Sequence, residues 1–252
     1  MMKMKGSLTA RKISGTTGRG GYHMINDRAT AHSRVASFVE ELCSTESTRN
    51  WGCLLLTSGI ARSVYRESKK AMSIGIQDRY FRGRRFLQGK EPQSASDFGP
   101  PPPEKQDKGR YNEFGGKVLY LCRNSRTLIT ECPYTPEKPC LYVQPFNIQL
   151  QTAPILKLNA DLEERFPHLH YLLLESEYAA EGTAFVKFPY RATHFLAYIC
   201  RRLGVAAVEY PSVRGGYKNN RDAVNLVVFE PYCDSIANMS VGRPFKCEDN
   251  QS

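Results

Sequence analysis

The sequence predicts a mixed α/β domain with a helical N-terminal extension, and three observations favour this class. After residue 110, β-rich runs and amphipathic helical stretches follow in the order strand, helix, strand, helix, strand, loop, strand. The 252 residues are 41% hydrophobic and 24% charged, which are the proportions of an ordinary soluble globular protein. No apolar run approaches the roughly 20 residues that a membrane helix needs. Transmembrane, collagenous and wholly disordered classes are therefore excluded.

The N-terminal part is expected to be a basic arm followed by helices. Residues 1–30 are polar and rich in glycine, serine, threonine and arginine, which is typical of a flexible arm. A helical extension is predicted over 31–77, because apolar residues recur every three to four positions over 31–43 and again over 54–71.

A main domain is predicted over 78–235, and a polar tail over 236–252. Within the main domain, four consecutive prolines at 100–103 favour an extended connection, since proline suits neither a helix interior nor a central strand. Strands are expected at 117–122, 141–150, 205–210 and 225–230. Helices are expected at 125–131 with Ser125 as its cap, at 162–174 with a break at Pro167, and at 191–203 before Gly204.

The net charge of +10 is unevenly distributed. Residues 1–35 hold seven basic residues and a single acidic one, and a second basic cluster lies over 66–92. Basic surface attracts polyanions, so nucleic acid is one partner that this pattern allows. A solvated cationic face is a second interpretation, and a small phosphate-bearing ligand for the second cluster is a third.

The cysteines and the N-terminus predict a cytoplasmic protein. The eight cysteines include no pair at zinc-clamping spacing, so no metal site is predicted and the thiols are expected to be reduced and mostly buried. No apolar stretch of signal-peptide length follows Lys3 and Lys5. The sequence does not indicate whether the protein is delivered into another cell as an effector.

Three short segments place polar residues where a plain core would not need them. They are Gly109-Arg110-Tyr111-Asn112, then Glu131 at the end of a predicted helix, and Tyr210-Pro211-Ser212-Val213-Arg214 after a predicted strand. Strand ends and the loops after them are common places for functional sites in α/β proteins.

Together with neighbouring motifs, these segments resemble the RES domain family, which is named for its arginine, glutamate and serine. Arg110 precedes Tyr120 by 10 residues and Glu131 by 21, and the resemblance covers roughly 78–232. The motifs that carry it occur in the family's order: Gly99-Pro100-Pro101, Gly109-Arg110-Tyr111, Leu119-Tyr120, Thr127 to Glu131, Tyr210-Pro211-Ser212 and Asn225-Leu226.

The resemblance implies an ADP-ribosyltransferase-like twisted mixed sheet flanked by helices. It also implies that NAD is bound as a substrate and broken at its nicotinamide–ribose bond, with no recycled cofactor. A glycohydrolase or a phosphorylase acting as a growth-inhibiting toxin is the first interpretation, and an ADP-ribosyltransferase is the alternative. A cognate antitoxin or immunity protein is the implied partner, and no membrane partner is expected.

The residues can be assigned roles from the chemistry of that bond. Its cleavage builds positive charge on the ribose, which a fixed carboxylate such as Glu131 can stabilise. Arg110 suits the pyrophosphate or nicotinamide side, because a guanidinium matches phosphate oxygens, and Tyr120 can stack on nicotinamide. Ser212 is expected to bind the nicotinamide ribose. The further candidates for NAD binding are Tyr111, Arg214, Asn225, Arg82 and Arg84, the last two from a segment where the family often has an Arg-x-Arg strand.

Each of these residues taken alone has an ordinary structural interpretation. Glu131 would be a solvated helix end, Tyr120 a core residue, Ser212 a turn residue and Arg110 a surface ion-pair partner. His194 is expected to pack rather than act as a base. A second function class also stays open at this point, a basic nucleic-acid-binding module whose RES-like domain is inactive.

Overall fold

A six-stranded mixed sheet flanked by helices forms the framework, as predicted. The computed structural model describes residues 20–44, 50–101, 109–112, 116–158, 162–180, 190–212 and 223–247. The helices are α1 (Gly20–Ser44), α2 (Trp51–Thr57), α3 (Gly59–Ala71), α4 (Ser125–Glu131), α5 (Leu162–Arg165), α6 (Pro167–Ala180), α7 (Arg191–Arg202) and α8 (Tyr232–Ile236). The strands are β1 (Met72–Phe86), β2 (Val118–Cys122), β3 (Cys140–Lys157), β4 (Ala207–Pro211), β5 (Val224–Phe229) and β6 (Phe245–Cys247).

The strand order is β1-β2-β5-β4-β3-β6, and β1 also pairs with β3. The β1–β3 ladder is antiparallel from Met72↔Leu156 to Phe86↔Cys140, so the long strands join the two ends of the row β1-β2-β5-β4-β3. β3 and β4 are parallel, and the other described pairings are antiparallel. This arrangement brings the ends of β2, β4 and β5 together, because Cys122 and Tyr210 both lie beside Asn225.

Several predicted boundaries differ from the observed ones. The helix expected over 54–71 is divided at Ser58, whose hydroxyl accepts a hydrogen bond from Ala61 N at 3.3 Å and caps α3. The residues 72–77, which were expected to be helical, instead begin β1, where β3 supplies a hydrogen-bonding partner. Asn124, not Ser125, caps α4, because its side chain accepts a hydrogen bond from Arg126 N at 2.8 Å.

The expected arm and the expected tail also contain regular structure. Helix α1 begins at Gly20, so residues 20–30 are helical, whereas residues 1–19 lie outside the described part of the chain. Within the expected tail, β6 adds to the edge of the sheet through the pair Val143↔Phe245.

The helical extension shares one core with the main domain. Val35, Phe38 and Val64 belong to the same buried cluster as Phe195 of α7 and Val227 of β5. The ring of Phe195 contacts Phe38 and Trp51 edge-on, at centroid distances of 5.5 and 5.8 Å. A second cluster includes Tyr80, Phe98 and Phe146, and a third includes Leu128 and Val143.

Two simpler predictions concern the thiols and membrane helices. All eight cysteines are free, and four of them are buried rather than most of them. Among the described residues, no helix combines the length and the apolar character that crossing a bilayer requires.

Gly75 gives the fold its sharpest backbone constraint. It lies at the register shift of β1 with φ of +80°, and a Cβ there would lie 2.5 Å from the carbonyl oxygen of Gln151. We expect Gly75→Ala to lower the free energy of unfolding by about 3 kcal/mol, because left-handed backbone strain and a backbone clash add together. Chemical denaturation measures the change.

Gly89→Ala is the matched control, since Gly89 has φ of +77° but open space around it. This substitution should lower the free energy of unfolding by about 1 kcal/mol. Equal losses for the two variants would contradict this account.

Candidate active site

Three of the four residues with predicted catalytic roles, Arg110, Tyr120 and Glu131, line one cleft of about 310 Å³. Arg110 lies in a turn before β2, Glu131 ends α4, and Ser212 follows β4. Ser212 is fully buried and is not a lining residue, but its hydroxyl donates a hydrogen bond to the lining residue Glu131. The lining includes Arg82, Arg110, Tyr120, Cys122, Glu131, Cys132, Tyr190, Tyr210 and Asn225. The structure therefore brings together the four residues for which catalytic roles were predicted, and the roles themselves stay predictions.

The carboxylate of Glu131 is held on one of its oxygens. Oε1 accepts hydrogen bonds from Ser212 Oγ at 2.5 Å and from Asn225 Nδ2 at 2.8 Å. Cys122 Sγ donates to Asn225 Oδ1 at 2.9 Å, which orients the amide so that its nitrogen faces Glu131. Oε2 has no hydrogen-bond partner within the described ranges, and Glu131 lines the cleft. The arrangement leaves one carboxylate oxygen for a ligand.

Burial restricts the movement of Ser212 and Asn225, the two residues that hold the Glu131 carboxylate. Ser212 is fully buried, and its backbone N–H donates to the carbonyl of Ala223 at 2.8 Å. Asn225 is 6% exposed on the fully buried strand β5. Burial, followed by the charge of Glu131, raises the pKa of Cys122, so this thiol stays protonated and can donate to Asn225.

The hydroxyl group of Tyr120 organises the turn that carries Arg110. It accepts a hydrogen bond from Tyr111 N at 2.9 Å and donates one to Asn112 Oδ1 at 3.1 Å. His194 Nε2 lies 2.8 Å from the carbonyl oxygen of Gly109, which anchors the other end of the turn to α7. Burial raises the pKa of Tyr120, so the phenol remains a donor at neutral pH.

Gly109 leaves room for the side chains of Asn112 and Tyr120 where the turn passes them. A Cβ at this position would collide with the side-chain oxygen of Asn112 and would lie 2.9 Å from the Tyr120 hydroxyl oxygen. The glycine of the Gly-Arg-aromatic step therefore has a packing reason.

Tyr120→Phe tests the role of that hydroxyl. We expect the free energy of unfolding to fall by about 1–3 kcal/mol, because Tyr111 N and Asn112 Oδ1 lose a buried partner. A chemical denaturation curve measures this loss. Tyr65→Phe is the control, because it removes a hydroxyl group from a half-buried tyrosine of α3. It should change the free energy of unfolding by less than about 0.5 kcal/mol. Unchanged stability in Tyr120→Phe would show that the turn does not depend on the hydroxyl.

Tyr111 is placed differently from its predicted role. It is 1% exposed, packs on Tyr210 at a centroid distance of 5.1 Å, and is not among the lining residues. Tyr210 and Tyr190 line the cleft instead. Tyr190 was not among the predicted site residues, although an aromatic residue immediately before a predicted helix could have been considered for the site. Tyr210 stood within the Tyr-Pro-Ser motif but was not selected.

Arg82 is a buried cation on the wall of the cleft. Its side chain is 8% exposed, and its Nε and Nη1 have no hydrogen-bond partner among the residues that the structure describes. Burial and the neighbouring charge of Arg84 lower the pKa of Arg82 to about 9, which still leaves it charged at neutral pH. A buried charge without a counter-ion is energetically costly, so this position favours an anionic ligand.

Arg84 and Arg214 do not extend this cationic wall within the described structure. Arg84 donates to the carbonyl oxygens of Asp97 at 2.5 Å and Gly99 at 3.2 Å, and it is not a lining residue. These carbonyls lie on either side of the buried Phe98, so the contacts favour a structural role for Arg84 rather than the predicted contact with NAD. Arg214 lies outside the described residues.

The comparison with solved structures includes a weak likeness to a toxin–antitoxin complex. No family model and no curated protein matches the sequence. A chain in the crystal structure of the M. tuberculosis MbcT–MbcA toxin–antitoxin complex has 9% sequence identity and a TM-score of 0.49. The match covers 75% of the present chain and 94% of that chain. A likeness at this level supports no argument about function.

Proposed function

We propose that this protein consumes NAD by breaking its nicotinamide–ribose bond, as a glycohydrolase or a phosphorylase, and that it acts as a growth-inhibiting toxin. The observation that carries the proposal is the Glu131 carboxylate. One of its oxygens is fixed by Ser212 and Asn225, and the other has no protein partner among the described residues.

The chemistry follows from where charge develops. When the glycosidic bond breaks, its electron pair goes to the nicotinamide nitrogen, which becomes neutral, and positive charge forms on the ribose ring. A carboxylate already fixed beside that ring stabilises the developing cation without having to reorganise. The acceptor then adds to the same ribose carbon and releases its proton.

The cleft also suits the nicotinamide ring and the pyrophosphate of the substrate. Tyr120, Tyr190 and Tyr210 supply aromatic lining against which nicotinamide can pack and from which water is excluded. Arg82 and Arg110 supply positive charge for the pyrophosphate oxygens. The resemblance of the motifs to the RES family supports the same assignment, and the loss of an essential cofactor explains why such an activity would inhibit growth.

An ADP-ribosyltransferase is the alternative that shares this chemistry. Water, phosphate or a protein side chain can each attack the same ribose carbon, so the products distinguish the three reactions. The purified full chain is incubated with NAD in buffers with and without phosphate, alone and with a cell extract, and all products are identified by mass. Free ADP-ribose indicates a glycohydrolase, ADP-ribose carrying one added phosphate indicates a phosphorylase, and a labelled extract protein indicates a transferase. NAD that remains intact under every condition would contradict the proposal.

A further inference from the structure

A second cleft lies between the helical extension and α7. It measures about 500 Å³ and is lined by Leu55, Arg62, Tyr65, Arg66 and Arg202, and we call it the α3 groove. It shares no lining residue with the catalytic cleft. Any function of the α3 groove is therefore separate from the chemistry at Glu131.

The three arginines of the α3 groove are positioned but carry no counter-ion. None of them forms an ion pair with a carboxylate in the portion of the chain that the structure describes. Each makes one hydrogen bond that leaves further N–H groups available: Arg62 to the Leu56 carbonyl at 2.5 Å, Arg66 to Ser63 Oγ at 3.3 Å, and Arg202 to Tyr198 OH at 3.2 Å. Three exposed guanidinium groups around one cleft repel one another, and an anionic partner would relieve that repulsion.

Helix α3 separates its charges by face. Its one acidic residue, Glu67, is turned against α6, where it binds His168 Nδ1 at 2.7 Å and Leu169 N at 2.8 Å. The exposed charged residues of this helix are then all basic: Arg62, Arg66, Lys69 and Lys70. The exposed side of α3 therefore has a uniform positive charge that no carboxylate of the described residues neutralises.

The apolar part of the α3 groove indicates what kind of anion fits. Leu55 and Tyr65 are half-buried in the lining, and Leu56 beside Arg62 is 78% exposed. A nucleic-acid backbone has no aliphatic surface to match leucine side chains. The described lining holds a single aromatic side chain, Tyr65, and not a series on which successive bases could stack. Arginine at all three groove positions favours two-oxygen partners, which carboxylates and phosphates both supply, and the leucine side chains beside them favour the carboxylates of a protein segment. Because the guanidinium groups are exposed and not enclosed, the surface suits a chain lying across it better than a small molecule sealed within it.

We propose that the α3 groove is the docking site for an acidic segment of a partner protein, in which aspartate or glutamate alternates with aliphatic side chains. The carboxylates would pair with Arg62, Arg66 and Arg202, and the aliphatic side chains would pack on Leu55 and Tyr65. The proposal is independent of whether the catalytic cleft acts on NAD.

Selection from a phage-displayed library of random 12-residue peptides on the full chain tests this proposal. The best binder, labelled with fluorescein, is then titrated with protein and its affinity is followed by fluorescence anisotropy. We expect selected peptides to combine acidic and aliphatic residues, and Arg62→Ala with Arg66→Ala to weaken their binding by about tenfold or more. Lys69→Ala with Lys70→Ala removes the same charge from the same helix outside the groove, and should weaken binding by less than about threefold.

Two further measurements make the outcome decisive. Arg62→Lys with Arg66→Lys keeps the charge but removes the planar fork, and should still weaken peptide binding. Thermal unfolding confirms that each variant folds, and NAD consumption should stay at the wild-type rate if the catalytic proposal holds. Peptides without acidic residues, equal losses for the arginine and lysine pairs, or a selection that yields no groove-dependent binder would overturn the proposal. Tighter binding of a 12-nucleotide single strand at the same arginines would assign the groove to nucleic acid instead and would also overturn it.

Discussion

Replacing Arg82 with methionine should make the free protein more stable and its catalytic cleft less effective. Arg82 is buried, and its Nε and Nη1 have no hydrogen-bond partner in the described structure. Methionine has a similar length and carries no charge, so Arg82→Met removes the cost of an uncompensated buried cation. We expect the free energy of unfolding to rise by about 1–4 kcal/mol, measured by denaturation without NAD.

The same substitution should impair the reaction because the cleft loses a positive charge for the substrate. We expect kcat/KM for NAD consumption to fall by about 10- to 100-fold, the scale of one or two charge-assisted hydrogen bonds. Arg84→Met is the matched control, since it lies two residues along β1 and holds the carbonyl oxygens of Asp97 and Gly99. It should lower stability by about 1–3 kcal/mol and leave kcat/KM largely unchanged. A loss of stability in Arg82→Met would show that a protein partner stabilises the Arg82 cation. That result would contradict the assignment of Arg82 to an anionic ligand.

Glu131→Gln should abolish most of the NAD-consuming activity and leave the fold intact. Glutamine keeps the shape of the side chain and an oxygen that can accept from Ser212 Oγ and Asn225 Nδ2. It lacks the negative charge that, in the proposed mechanism, stabilises the developing ribose cation. We expect kcat to fall by about 1,000-fold, measured as nicotinamide release under saturating NAD.

Glu67→Gln is the control for Glu131→Gln, because it also removes the charge of a half-buried carboxylate but does so outside the catalytic cleft. Glu67 binds His168 and Leu169 N on α6, outside the catalytic cleft, so its replacement should leave kcat unchanged. Activity in Glu131→Gln within about threefold of wild type would remove Glu131 from the mechanism.

The elements that the sequence predicted most closely carry strong local signals. Helix α4 spans the predicted residues 125–131, and β2 lies within the predicted range. Both are short, and polar or turn-forming residues bound them on either side. The α7 helix was equally legible, because its apolar positions recur at helical spacing and Gly204 adopts the positive φ that ends it.

Strand β1 could not be identified in the same way. Its charged residues, among them Asp78, Arg79 and Arg85, obscure the alternation that marks a strand. What makes the segment extended is the ladder with β3, which pairs residues far apart in the sequence. The intrinsic strand propensities of residues 72–86 do not indicate which distant segment will pair with them.

The site shows the same division between local and tertiary information. The residue types in the cleft could be selected from their motifs, but the contact between Glu131 and Ser212 joins positions 81 residues apart. The role of the Tyr120 hydroxyl in holding the turn at Tyr111 and Asn112 likewise depends on packing. A buried arginine such as Arg82, whose Nε and Nη1 have no partner among the described residues, can be recognised only when its neighbours are known.

The bond of NAD that breaks tests the central claim most directly. Proton NMR spectra are recorded over time while NAD is incubated with the wild-type protein and, in parallel, with Glu131→Gln. We predict that free nicotinamide appears as NAD disappears, that no AMP or nicotinamide mononucleotide forms, and that Glu131→Gln leaves the spectrum almost unchanged over the same period. The appearance of AMP and nicotinamide mononucleotide would place the cleavage at the pyrophosphate, and that result, or a fully active Glu131→Gln, would contradict the mechanism.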